Sequence, residues 1–337
     1  MRVMTGLCLL LAIAPAFCET GNQKKDGKKA AAPGPLGGIK IPGVQIPYAS
    51  LKSELVFETA APVTWIGAAD SVWIPSADGL QRIDPKGKES KFGEPAAGVK
   101  QPCAGLVNAF GSLWVPGCGD GTIARIDAKT SKVTATLPVG TGVARPGIAA
   151  TTDSIWTFTD SRGTLSRIDP VQNAVVAEFR VYADCNTLMF GETALWLTCP
   201  SENKVLRVDP ATNLVEKSIE VSARPVGLAI GETSVWVLCD KDGKIDRIDP
   251  KTNKVTKTIE LGAPATGGTM SIGEGSVWVS MPGFPVTRVD PGTEKVVQQF
   301  WGEGAGVIQA ALGSVWLADG KKVSKLDPKR VAATLAE

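Results

Sequence analysis

Residues 231–262 read GETSVWVLCDKDGKIDRIDPKTNKVTKTIELG, and the fold follows from how this stretch is punctuated. Gly-Glu-Thr, Asp-Lys-Asp-Gly and Asp-Pro-Lys-Thr-Asn separate runs of alternating or β-branched residues. With the residues just before it, the unit divides into VGLAIG, SVWVLC, KIDRID and KVTKTIEL. Runs of this length between turn-formers are antiparallel strands. The Asp-Pro turn is chemically specified, because Asp accepts from the backbone ahead while Pro fixes φ at the next position. Helical periodicity is absent.

The unit recurs. A Trp between β-branched or aliphatic residues stands at Trp73, Trp114, Trp156, Trp196, Trp236, Trp278 and Trp316, at spacings of 38 to 42 residues. In step with it runs RIDP, RIDA, RIDP, RVDP, RIDP, RVDP and KLDP, with its Asp at 84, 127, 169, 209, 249, 290 and 327. Seven four-stranded units of about 40 residues define an all-β fold, a seven-bladed β-propeller of four-stranded antiparallel blades. One Trp per unit in the second strand reads as packing in the wedge between blades. Two segments compete for the outer place in the last blade, Ser53–Thr59 and Lys329–Glu337, with the reading leaning to the first.

Composition limits the chemistry. The chain has 337 residues, net charge +2, and no histidine. That removes His-based acid/base work, Ser–His and Cys–His catalysis, His-ligated haem and nearly all catalytic zinc sites. The charge balance gives no reason to expect nucleic acid.

The domains are expected as 1–18, 19–52 and 53–337. Residues 1–18 read as a signal peptide, with Arg2, an apolar Leu7–Ala14 core and a small-residue site at Ala14-Pro15-Ala16. The core is too short to span a bilayer, and Phe17 before Cys18 argues against lipidation. Residues 19–52 are rich in Gly, Pro and Lys and read as a mobile tether. The mature protein is expected to be periplasmic or secreted, without a transmembrane segment, and monomeric.

Export permits disulfides, and the repeat frame pairs the cysteines. Cys103 and Cys185 each precede their Trp by 11 residues, at the start of an inner strand; Cys118 and Cys199 follow theirs by four and three, at the end of the second. Antiparallel neighbours bring these ends together, predicting Cys103–Cys118 and Cys185–Cys199. Cys239 remains, with Pro225 where a partner would stand. It reads as a small buried residue or as a reactive thiol near the ring mouth.

Loops entering the inner strands and leaving the second strands share one face of a propeller, around the channel. The candidate ligand-binding residues there are Arg145, Arg224, Asn186, Asp160, Asp240 and Asp319; no residue is assigned a catalytic role. Arg and Asp at a mouth recognise a carboxylate, an amine or a sugar, or hold a divalent metal through oxygens. Turn chemistry accounts for the Asp residues equally, but a turn does not require Arg.

The 231–262 unit resembles the YVTN-type β-propeller repeat of exported proteins and is similar to the repeats of streptogramin lyases such as virginiamycin B lyase, over about residues 53–337. The lyase resemblance implies linearisation of cyclic depsipeptides with a divalent metal and a catalytic His. No residue here matches those His positions. The expected function is therefore a non-catalytic binding or interaction module for a small molecule, peptide or envelope protein at the mouth. A metal-assisted lyase or hydrolase working through Asp and Arg is the alternative.

Overall fold

The computed structural model describes residues 37–77, 79–140, 147–304 and 306–335. The expected signal peptide, the first part of the tether (19–36) and Arg145 lie outside the described residues. Seven sheets follow one another along the chain, each antiparallel among its four principal strands. In blade five these are Pro225–Gly231, Ser234–Cys239, Lys244–Asp249 and Lys254–Glu260, in order from channel to rim. The first strands of successive blades pack side by side, and that of blade seven, Val307–Ala311, meets that of blade one, Gly67–Ala68, so the ring closes.

The fastening is a strand exchange between the two ends of the ring. Leu55–Glu58 pairs antiparallel with Lys322–Leu326 and supplies the outer strand of blade seven. Its Phe57 is 1% exposed and packs with Trp316. The competing C-terminal segment is not a strand. Asp327 accepts from the Lys329 N–H and caps a helix over Pro328–Ala333, as an Asp before an N1 proline favours.

The tether is shorter than its composition implied. Gln45–Pro47 lies parallel to the outer strand of blade six, Lys295–Trp301, and makes that sheet five-stranded. Val44 and Ile46 are buried there, and the Gln299 N–H donates to Val44 C=O at 2.8 Å. An alternation as short as Val44–Ile46 is masked in sequence by the surrounding Gly, Pro and Lys.

The core has one compartment per seam. Seven apolar clusters each join two neighbouring blades, and each holds one of the seven repeat tryptophans. All seven rings are at most 1% exposed. Most anchor the indole N–H on the backbone carbonyl five residues earlier, as Trp236 does on Gly231 at 3.2 Å. A buried ring of this size fills the wedge between twisted sheets, and the hydrogen bond avoids an orphaned donor.

The Arg of the RIDP signature does more than mark a turn. Cross-strand register places Arg125 beside Trp114 and Arg247 beside Trp236, with the guanidinium carbon 4.9 and 5.1 Å from the ring centroid. Nε donates to the Ser two residues before the Trp, Ser112 at 3.0 Å and Ser234 at 2.8 Å. Nη1 then crosses the seam. From Arg125 it reaches Pro170 C=O and Asn173 Oδ1 in the next Asp-Pro turn, and from Arg207 it reaches Pro250 C=O and Asn253 Oδ1. Arg247 reaches Glu294, and Lys325 of blade seven reaches Pro85 C=O of blade one. One side chain thus ties its own strand pair to the following blade.

Candidate functional site

The mouth is built from loops whose geometry the blade ends dictate. At blade five the loop before the inner strand and the turn after the second strand meet at Arg224 and Asp240. Arg224 has φ 58°, a left-handed conformation that turns the chain into Pro225. Its N–H donates to Asn203 Oδ1 of blade four at 2.8 Å. Nε donates to Asp240 Oδ1 at 2.6 Å, and Nη2 to Oδ2 at 2.9 Å and to Ala265 C=O at 2.9 Å. This fork-on-carboxylate geometry fixes the guanidinium plane, and hydrogen bonding to Asp240 raises the Arg224 pKa further. The Asp240 side chain is 1% exposed, whereas that of Arg224 is 38% exposed. A ligand at the mouth can therefore touch the guanidinium but not the carboxylate.

Asp240 is engaged through both carboxylate oxygens. Oδ2 also accepts the Gly267 N–H at 2.5 Å, and the Asp240 backbone C=O accepts from Gly243 and Ala265. Asp242, on the same turn, accepts the Ala223 N–H at 2.7 Å. Asp246, buried in the third strand, accepts from Ser222 N–H and Thr258 Oγ1, both at 2.6 Å. These carboxylates hold the loop 221–224 in place. Asp246 was missed from sequence, although it is the one charged residue among the counterpart positions of the third strands, where Ser166, Leu206 and Thr287 stand.

The other candidates do not join this pair. Asn186, before the inner strand of blade four, accepts from Thr187 Oγ1 and Thr198 Oγ1 at 3.3 and 3.2 Å and closes its own hairpin. Asp160 accepts from the backbone N–H groups of Arg162 and Thr164 and from Thr164 Oγ1. These bonds, led by the Thr164 N–H, hold its pKa down at about 2. Its surroundings are the rim: a pocket of about 400 Å³ holds Asp160 and Arg162 together with Glu178, Phe179 and Arg180 of the outer strand. Asp319 ends the second strand of blade seven. Burial, and secondarily the Asp319 charge, push the Tyr48 hydroxyl up to about 12. Tyr48 belongs to the segment on blade six, which sequence reading had placed in the tether.

The cysteine pairs are disulfides, Cys103–Cys118 and Cys185–Cys199, with Cα separations of 5.9 and 4.0 Å. Cys239 is buried opposite Pro225 in the sheet register. Burial, then the nearby Asp246, Asp242 and Asp240, raise its thiol pKa far above the ordinary value. A nucleophilic cysteine needs the opposite environment.

A divalent metal also fits poorly. Among the described residues, no three Asp, Glu, Cys or His side chains converge as a ligand set. The mouth carboxylates already accept from the backbone and from Arg224, and a hard cation would have to displace those donors. Among the described residues no helix is long and apolar enough to cross a membrane.

Comparison with known proteins is consistent with the fold and adds little chemistry. Residues 228–335 match the model of a domain of unknown function, DUF5074. No curated protein matches the sequence. Among solved structures the chain is similar to one described as "Streptogramin B lyase structure", with a TM-score of 0.67 and 19% identity, covering 80% of this chain and 95% of that one. At that identity the likeness concerns the fold.

Proposed function

We propose that this chain is an exported, non-catalytic binding propeller that takes a small molecule, peptide or envelope-protein segment at the channel mouth of blade five. The observation that carries the reading is the Arg224–Asp240 pair. A reachable guanidinium is held in one plane by a buried carboxylate, which suits recognition of a carboxylate or carbonyl through the remaining N–H groups. The same arrangement is unsuited to proton transfer, because the buried Asp240 is held by Arg224 and Gly267 and Arg224 stays protonated. The inaccessible Cys239 thiol and the histidine-free sequence point the same way. Two disulfides suit an oxidising compartment, which supports export.

The test is a thermal-shift screen of the purified chain against carboxylate-bearing peptides, sugars, streptogramins and divalent metals. A ligand selective for the native state, at a hundredfold excess over Kd, stabilises by about 2.7 kcal/mol. The reading expects a shift from a carboxylate- or carbonyl-bearing ligand that is lost in Arg224→Lys, which keeps the charge but not the fork. Ring-opened product from a streptogramin incubated with the protein and Mg²⁺ would overturn the non-catalytic reading. A shift indifferent to Arg224→Lys would move the site elsewhere.

A further inference from the structure

The outer strand of each blade is a sheet edge, with one row of backbone N–H and C=O groups unpaired by the sheet. Such edges invite a further strand, and proteins guard them with charged residues, lysine above all. This molecule guards or covers most of its own. Gln45–Pro47 lies on blade six, and blades two, four and five carry Lys132, Lys217, and Lys254 with Lys257 on their outer strands. Blade three has no lysine on its outer strand: Ala174–Arg180 reads AVVAEFR, ends its sheet uncovered among the described residues, and exposes Val175 and Val176 at 37 and 49%, as blade four exposes Leu214 and Val215.

The strand is also complementary to itself. The Val181 N–H donates inward to Gly163 C=O, so by alternation Phe179 also faces inward while the backbone groups of Glu178 and Arg180 face out. A second copy running antiparallel about Phe179 therefore forms hydrogen-bonded pairs of Glu178 with Arg180, twice, opposite in charge each time. Val176 and the 39%-exposed Tyr182 come alongside at both ends. Among the described residues Arg180 has no ion-pair partner within its own chain. The same operation on blade four sets Ser218 against Glu220 and on blade five sets Thr258 against Glu260. On blade two it sets Thr136 against Pro138, which has no N–H to give.

We propose that the outer edge of blade three is a homodimer interface, two copies joining by antiparallel pairing of Ala174–Arg180 about a two-fold axis at Phe179. This replaces the monomer expected from sequence and is independent of the ligand reading at the mouth. Sedimentation velocity on the full chain tests it. The wild type is expected to dimerise, and Arg180→Glu or Glu178→Arg, each setting like charges face to face twice, to weaken the dimer by about tenfold or more. The double variant Glu178→Arg/Arg180→Glu restores opposite charges and is expected to recover dimerisation, which a merely unfolded variant would not do. A wild type that stays monomeric at the highest soluble concentration overturns the proposal. So does a dimer that the single reversals leave unchanged, or one that the double variant fails to recover.

Discussion

Arg125 lies 4.9 Å over the ring of Trp114 while its Nη1 holds Pro170 C=O at 2.8 Å across the seam. One residue thus links a blade's buried ring to the backbone of the next. Arg125→Lys keeps the charge but loses the fork and the ring contact, and is expected to cost about 2 kcal/mol. Urea unfolding measures this directly; a loss under about 0.5 kcal/mol would show that the crossing bonds contribute nothing net.

Blade four lacks one part of the device. Ala194 stands where Ser71, Ser112, Ser154, Ser234 and Ser276 accept from the Arg of their blades, and the buried Arg207 Nε has no well-directed hydrogen-bond partner. Ala194→Ser is expected to stabilise the protein by about 1 kcal/mol. No change, or a loss, in the urea midpoint would mean that the nearby Glu216 already satisfies Arg207.

The disulfides close loops spanning 15 and 14 residues. Replacing either pair with serine is expected to lower stability by about 3 kcal/mol. Cys239 responds differently: at pH 8 iodoacetamide is expected to leave it unmodified in the native protein and to alkylate it after unfolding, read by intact mass. Rapid native labelling would contradict the buried, high-pKa thiol.

Acid should unlock the turns. Backbone N–H groups hold Asp127, Asp169, Asp209, Asp249 and Asp290 below the usual carboxylate range, and Asp160 at about 2. A folded-state pKa below the unfolded one contributes stability above the unfolded value, and that contribution is lost as pH falls through the folded one. Thermal stability is expected to drop on acidification from about pH 4 toward pH 2. In Asp160→Asn the drop is expected to be shallower; a slope identical to wild type would remove Asp160 from the set.

The propeller, its blade order and both disulfides were legible because the repeat supplies a coordinate frame: an offset from the nearest Trp fixes strand and end. The arginine links were half legible. The signature was visible seven times over, but the partners Asn173 and Asn253 lie 48 and 46 residues from Arg125 and Arg207, in the next blade, which only the packed seam brings close. At the mouth, Arg224 and Asp240 proved to be partners, and Asp160 borders a pocket with the outer strand of its blade. Sequence places a residue in a loop without showing which neighbour its side chain chooses.

The seam at Leu55–Glu58 sets an order of events. Leu55–Glu58, which precedes every strand of blade one, has as its one sheet neighbour among the described residues Lys322–Leu326, far downstream in the chain. Until Lys322–Leu326 has been made, Leu55–Glu58 has no strand to pair with, and Phe57 has only the blade-one side of its pocket, Phe92 included, to rest on. A truncated product would therefore carry an open ring with a sticky strand at one end. The architecture itself thus checks that both ends of the ring are present, at the joint where Leu55–Glu58 meets Lys322–Leu326.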